Sequence, residues 1–164
     1  MTFPLVSIII PTYNGAKRIS TCLESVFMQD YANFEIIAVN NNSIDTTLEV
    51  LEAYQKKDSR LLIVFEKEIS RGAARNTGEK YAHGKIIVMI DDDCIAPDHH
   101  WLQKLITPLL TNQADIVQGF EQPLHKNFWS DQYYIRVLHK FEKIQKTQEI
   151  TGTIDTKNFA INKS

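Results

Sequence analysis

The sequence predicts an α/β protein whose mostly parallel sheet is flanked by helices. Segments with the pattern of strands alternate with segments with the pattern of helices, and the connections between them are short. The strand-like runs are short, rich in branched apolar residues and bounded by glycine, proline or charge, as buried strands are. At 164 residues the chain is long enough for one domain with its own core.

Five strands are predicted, at residues 6–10, 34–39, 61–65, 86–90 and 115–118. The first is expected to end at Pro11. The fourth is a continuous apolar run that begins after Gly84 and ends where three aspartates follow.

Four helices alternate with these strands, at residues 17–28, 45–55, 73–82 and 101–110. Asp45 is placed to cap the second helix, Gly72 to open the third, and Pro97 precedes the fourth. The first helix is amphipathic, with its apolar residues on one side: Ile19, Leu23, Val26 and Phe27.

The pattern is weaker beyond Gly119. Residues 129–146 are predicted to form a helix with a basic end and an aromatic stripe made of Trp129, Tyr133, Val137 and Phe141. This helix either packs on the sheet or docks on a membrane surface or a partner, with peripheral membrane contact in the latter case. Residues 151–161 are polar and fit no single element.

The composition excludes several classes of protein. The net charge of −2 and the pI of 6.2 give no nucleic-acid footprint, and no apolar run is long enough to span a bilayer. The first residues show no signal peptide. Cys22 and Cys94 match no metal-ligand spacing and are expected to be reduced thiols, Cys22 in the core. We therefore expect a cytoplasmic protein.

The three carboxylates of Asp91, Asp92 and Asp93 are the strongest functional signal. Like charges about 4 Å apart repel by roughly 4 kcal/mol at an effective dielectric of 20, so a positive group is expected beside them. In an extended chain Asp91 and Asp93 point the same way, and Mg²⁺ binds through one or two carboxylates plus substrate phosphates. The sequence thus predicts a metal–diphosphate site; the alternative is a solvated acidic turn that caps the next helix.

Other polar segments are expected at the same edge of the sheet, because ligands of open parallel sheets bind at the carboxyl ends of the strands. The first strand leads into residues 11–15, where Tyr13 offers a flat face for a base. The second leads into residues 40–45, where Asn40 offers a donor and an acceptor. The third helix begins with small residues and carries Arg75, which suits a phosphate; the same small residues also permit close packing of helix on sheet.

These residues together resemble the family-2 inverting glycosyltransferases of GT-A (Rossmann-like) fold. The matching segments are Pro11-Thr12-Tyr13-Asn14-Gly15, Asn42-Ser43-Ile44-Asp45, Gly72-Ala73-Ala74-Arg75-Asn76 and Ile90-Asp91-Asp92-Asp93-Cys94. They occur in the family's order and extend over nearly the whole chain.

The resemblance implies transfer of a sugar from a nucleotide-diphospho-sugar, helped by Mg²⁺ or Mn²⁺, to the hydroxyl of a glycan or lipid-linked acceptor. It places Thr12 and Tyr13 against the base, Asn40 at the base edge and Asp92 at the ribose. Asp91 and Asp93 would hold the metal. The nucleotide-sugar site it implies consists of Pro11, Thr12, Tyr13, Asn14, Asn40, Asn42, Asp45, Gly72, Arg75, Asp91 and Asp92.

The chain departs from the family pattern at two points. Asn40 stands where the family usually has aspartate, and its carboxamide is expected to favour a uridine or thymidine donor over a guanosine one. The family's acidic general base is expected beyond Ser164, so no catalytic residue is predicted here and the chain resembles a C-terminally truncated enzyme. Residues 1–119 would then bind the donor, and residues 120–164 would form an incomplete acceptor-side part of the same domain.

Two other functions fit the same sequence. A half-domain could bind nucleotide sugars without transferring them, or pair with a separate acceptor-side chain. A nucleotidyltransferase is disfavoured, because no Gly-rich phosphate loop with a paired lysine lies near the first strand.

Overall fold

The computed structural model describes residues 3–119 and 158–163, which form one sheet with helices on both faces. The strands are β1 (Val6–Thr12), β2 (Phe34–Asn40), β3 (Leu61–Phe65), β4 (Ile86–Ile90), β5 (Ile116–Gln118) and β6 (Asn158–Asn162). The helices are α1 (Ile19–Phe27), α2 (Thr47–Gln55), α3 (Arg71–Tyr81) and α4 (Trp101–Leu110).

The six strands are arranged in the order β3-β2-β1-β4-β6-β5. The first four strands in this order are parallel, whereas β6 is antiparallel to both of its neighbours. The prediction of a mostly parallel α/β sheet is therefore confirmed. Since β1 and β4 are adjacent, the loops that follow them meet at the carboxyl edge of the sheet.

Strand β1 does not end at Pro11, as the sequence suggested, but continues to Thr12. Pro11 pairs with Val39 of β2, while the pairing of β1 with β4 has already ended at Ile9 and Met89. One side of Pro11 is thus an edge position, where a strand tolerates a residue without an N–H. The extra residues carry Thr12 into the carboxyl edge, where it becomes part of the site.

Strand β6 begins within residues 151–161, for which no element was predicted, and ends at Asn162. It inserts between β4 and β5, and Ala160 is fully buried opposite Val88. Its apolar run is only three residues long and lies between Asn158 and Asn162, so the local signal is weaker than that of the other strands.

Three helices begin at residues other than the expected ones: α1 and α2 begin two residues later, and α3 two residues earlier. Helix α3 begins at Arg71 and is capped by Ser70, whose Oγ accepts a hydrogen bond from the Ala73 N–H at 3.3 Å. Ser70 rather than Gly72 therefore opens this helix, because a hydroxyl satisfies one of the free N–H groups of the first turn. Asp45 precedes α2, and its Oδ1 accepts from the Thr47 N–H at 3.1 Å.

The core lies on both faces of the sheet. On one face α1, α2 and α4 cover β1, β2 and β4, and Cys22 is buried there as expected. On the other face α3 packs closely: a Cβ on Gly78 would lie 2.4 Å from Ile9 Cγ2. The small residues of α3 thus do permit close helix-to-sheet packing.

No helix in the described part of the chain has the length and apolar character needed to cross a membrane. The helix predicted at residues 129–146 lies outside the described residues, as does nearly all of the expected acceptor-side part.

Candidate functional site

A cleft of about 280 Å³ opens at the carboxyl edge of the sheet, between the loops after β1 and β4 and the start of α3. It is lined by Pro11, Thr12, Tyr13, Arg18, Asn41, Ile69, Ser70, Arg71, Ala74, Asp91, Asp92 and Asp93.

Half of these lining residues belong to the predicted site: Pro11, Thr12, Tyr13, Asp91, Asp92 and Asp93. Six other predicted residues do not line the cleft: Asn14, Asn40, Asn42, Asp45, Gly72 and Arg75. Six lining residues were not on the predicted list: Arg18, Asn41, Ile69, Ser70, Arg71 and Ala74. Four of these unpredicted residues, Ile69, Ser70, Arg71 and Ala74, lie at the start of α3. Recognising Ser70 as the N-cap in the sequence would have indicated them.

The acidic triplet has its positive partners within the chain. Arg75 Nη2 donates to Asp91 Oδ1 at 2.6 Å, and both side chains are largely shielded from solvent. Burial raises the pKa of Asp91, and the Arg75 guanidinium opposes that rise. Arg18 Nη2 contacts Asp92 Oδ2 at 3.1 Å, whereas exposed Asp93 forms no ion pair with the described residues.

Asp92 is held from three directions. Thr12 Oγ1 donates to its Oδ2 at 2.6 Å, and Arg18 Nη2 also reaches its Oδ1 at 3.4 Å. Gly15 approaches so closely that a Cβ there would lie 2.3 Å from Asp92 Oδ2 and 2.2 Å from Thr12 Oγ1. Asp92 is only 8% exposed, so its orientation is set by these neighbours.

The loops that follow β1 and β2 are tied together by residues predicted as ligands. Asn14 accepts through Oδ1 from the Ile44 N–H at 2.9 Å, and its own N–H donates to Ser43 Oγ at 3.0 Å. Asp45 Oδ2 accepts from the Ala16 N–H at 3.3 Å. Both Asn14 and Asn42 have a positive φ, which asparagine tolerates better than most residues. In the described structure these side chains shape the loops behind the cleft.

Asn40 and its neighbour Asn41 lie on opposite sides of the cleft wall. Asn40 is 4% exposed and its Oδ1 accepts from the Ser43 N–H at 3.1 Å, away from the cleft. Asn41 lines the cleft instead. Both side chains are 4% exposed, but successive side chains of an extended segment point to opposite sides, so a shift of one residue decides which of the two faces the cleft.

The donor set fits a cation that a ligand helps to hold. Within residues 3–119 and 158–163, no three His, Cys, Asp or Glu side chains are grouped so that they alone could hold a metal ion. Asp93 offers an exposed carboxylate at the cleft, and Mg²⁺ characteristically uses one or two carboxylates together with substrate phosphates.

The fold is that of the GT-A glycosyltransferases. The chain is similar to the mannosyltransferase PcManGT from Pyrobaculum calidifontis, solved in complex with GDP-Man and Mn²⁺. The TM-score is 0.78 and the identity 24%, with 97% of this chain and 44% of that chain covered, so this likeness shows the fold.

Sequence comparison then identifies the family. Residues 7–164 match the profile of Glycosyl transferase family 2, and the chain belongs to that family. It is 31% identical to glycosyltransferase GlyA of Streptococcus pneumoniae over 88% of this chain and 22% of GlyA. It is 37% identical to the Escherichia coli UDP-Glc:alpha-D-GlcNAc-diphosphoundecaprenol beta-1,3-glucosyltransferase WfgD over 75% of this chain and 48% of WfgD. The chain thus spans less than half the length of these curated relatives.

Proposed function

We propose that this chain is the donor-binding part of an enzyme that transfers a sugar from a UDP-sugar to an acceptor hydroxyl with inversion. The observation that carries this proposal is the meeting of three chemistries in one cleft. Tyr13, 42% exposed, offers an aromatic face; Arg71 offers a guanidinium; and Asp93 offers a carboxylate. An aromatic face suits a base, a guanidinium suits a diphosphate, and a carboxylate suits a divalent cation.

The roles follow from where each side chain lies. Tyr13 would lie against the base and Asp92, held by Thr12 and Arg18, would meet the ribose. Arg71, at the first turn of α3, would contact the diphosphate. Pro11 would shape the wall of the cleft beside the base.

Asp93 would hold Mg²⁺ or Mn²⁺, with Asp91 beside it. Asp91 is less available than Asp93, because Arg75 already occupies its Oδ1. Such a cation neutralises charge that develops on a departing diphosphate. Arg75 does not line the cleft, but its buried Nε has no hydrogen-bond partner in the described part of the chain, so the guanidinium retains one donor behind Asp91.

We propose that Asn41, rather than Asn40, contacts the edge of the base. Both amide hydrogens of Asn41 are used within the chain, and its Oδ1 has one lone pair left after accepting from Ser70. Uracil and thymine present one N–H on their pairing edge, whereas guanine presents two adjacent donors. A single free acceptor on Asn41 therefore matches uracil or thymine, which supports a uridine or thymidine donor. The UDP-Glc in the name of WfgD supports the same choice.

For the acceptor, we propose a glycan or lipid-linked hydroxyl, as in the substrate named for WfgD. A lipid-linked acceptor would place the enzyme at the cytoplasmic face of a membrane. The general base that deprotonates the hydroxyl is proposed to lie outside the described residues.

Calorimetric titration of UDP, dTDP and GDP tests the donor site, first with Mn²⁺ and then with EDTA. We expect UDP and dTDP to bind in the presence of Mn²⁺ and to weaken strongly in EDTA. Tighter binding of GDP would overturn the assignment of the base. No binding of any nucleotide by the folded chain would overturn the donor site itself.

A further inference from the structure

Asn41 contacts the loop of residues 66–70, which joins β3 to α3, through both its NH₂ group and its Oδ1. Its Nδ2 donates to the carbonyl oxygens of Glu66 at 3.2 Å and Glu68 at 2.5 Å. Its Oδ1 accepts from the Ser70 N–H at 3.1 Å, which is shared with the Glu68 carbonyl at 2.8 Å. One side chain, 4% exposed, therefore fixes three residues of this loop.

These contacts determine which way the carboxamide faces. A flipped amide would turn its oxygen toward two carbonyl oxygens and its NH₂ toward an N–H, so only one orientation is compatible with the loop. An aspartate has the same shape but no donor when ionised. It would place a charge against the Glu66 and Glu68 carbonyls, and both would lose the hydrogen bond that Asn41 donates.

The loop that Asn41 holds forms one wall of the cleft. Ser70 caps α3 through Ala73, and Ile69, Ser70 and Arg71 all line the cleft. We propose that Asn41 is a positioning residue whose two amide hydrogens hold the β3–α3 loop and, through it, the N-terminus of α3 against the site. This inference concerns the architecture of the cleft; its effect on nucleotide binding rests on the function proposed above.

The loop has a second attachment, which does not involve Asn41. Thr77 Oγ1 donates to Glu66 Oε2 at 2.5 Å, from the second turn of α3 back to the start of the loop. Loss of the Asn41 contacts should therefore release the stretch between these points without unfolding the sheet.

The test compares Asn41→Asp, Asn41→Ala and Asn33→Asp in the full chain by hydrogen exchange of the backbone amides of residues 68–74. Asn33→Asp is the matched control, because Asn33 Nδ2 also donates to a backbone carbonyl, that of Phe3 at 2.8 Å, at the opposite end of β2. We expect exchange about 10- to 100-fold faster in both Asn41 variants, as for the loss of buried hydrogen bonds, and wild-type exchange in Asn33→Asp. Circular dichroism checks that each variant is folded.

The aspartate variant separates anchoring from direct contact with a ligand. If Asn41 acts through its donors, Asn41→Asp loosens the loop as much as Asn41→Ala and weakens UDP binding in Mn²⁺ by about 10-fold or more. Exchange in Asn41→Asp at the wild-type rate would overturn the proposal. If only Asn41→Ala exchanged faster, the loop would be held by the side-chain oxygen, which aspartate retains, and not by the amide hydrogens. Hydrogen exchange is measured without nucleotide. If the wild-type chain failed to bind UDP, the donor site would be refuted, but the exchange rates would still test whether Asn41 holds the loop.

Discussion

Gly15→Ala is the substitution for which the structure gives the most definite expectation. The new Cβ would lie 2.2 Å from Thr12 Oγ1 and 2.3 Å from Asp92 Oδ2, whereas ordinary contact begins at 3.4 Å. Both atoms would have to move by about 1 Å. They are themselves joined by a buried hydrogen bond of 2.6 Å, so neither can move without disturbing the other.

The cost has two contributions. Overpacking by one methyl group typically destabilises a protein by about 1–3 kcal/mol. Loss of the bond from Thr12 to Asp92 adds about 0.5–1.5 kcal/mol. We therefore expect the free energy of unfolding to fall by roughly 1.5–4.5 kcal/mol, which lowers the urea midpoint by about 0.5–2 M for an m-value of about 2–3 kcal/mol per M.

Urea unfolding of Gly15→Ala and Gly72→Ala, followed by titration with UDP and Mn²⁺, measures the effect. Gly72→Ala is the control, because a Cβ there meets Ser70 Oγ at 3.7 Å, an ordinary contact, and alanine suits a helix better than glycine by up to about 1 kcal/mol. Only Gly15→Ala should lose stability, and it should also bind UDP less tightly because Asp92 is displaced. Wild-type stability and affinity in Gly15→Ala would refute the argument that Gly15 fixes the position of Asp92.

Three further substitutions test other parts of the structure. Tyr13→Ala should weaken UDP binding by about 1–3 kcal/mol with or without metal, as measured by calorimetry; an unchanged affinity would mean that no base stacks there. Asp93→Asn should weaken UDP binding mainly when Mn²⁺ is present, and equal losses in Mn²⁺ and EDTA would contradict its role as a metal ligand. Burial raises the pKa of Glu35, but hydrogen bonds from Ser7 and His83 outweigh it and hold that pKa below the ordinary 4.5. The stabilisation from this carboxylate is present above pH 4.5 and lost as the pH falls through the lowered pKa. Glu35→Gln should thus lower the free energy of unfolding in urea by roughly 1–2 kcal/mol at neutral pH and by less in acid. A difference between variant and wild type that did not change with pH would contradict this.

Elements with a strong local signal could be predicted with their exact limits. Strands β3 and β4 and helix α4 begin and end at the expected residues, because each has a continuous or periodic apolar pattern bounded by breakers. Strand β6 could not be predicted, because its pairing with β4 and β5 compensates for a run of only three apolar residues. The continuation of β1 through Pro11 likewise depends on which neighbours flank it in the sheet, which the local sequence does not encode.

In the site, the sequence located the edge of the sheet correctly but not the side of the chain that each residue faces. The polar segments after β1 and β4 do meet in the cleft. After β2, however, the residue that lines the cleft is Asn41 rather than Asn40, because successive side chains of an extended segment point to opposite sides. The arginines Arg18 and Arg71 carry no pattern of their own, and only the folded chain brings them to the acidic triplet.

Three adjacent carboxylates repel one another and need positive charge nearby. Two arginines of the chain supply part of this charge: Arg75 lies against Asp91 at 2.6 Å, and Arg18 lies against Asp92 at 3.1 Å. Only Asp93 has no ion pair in the described part of the chain, and it is also the exposed member of the three. The need for an external cation therefore falls on one carboxylate rather than three. A single carboxylate binds a divalent ion weakly without further ligands, so tight binding requires oxygens from the diphosphate. Metal and nucleotide should for this reason bind together, each raising the affinity for the other by the same factor.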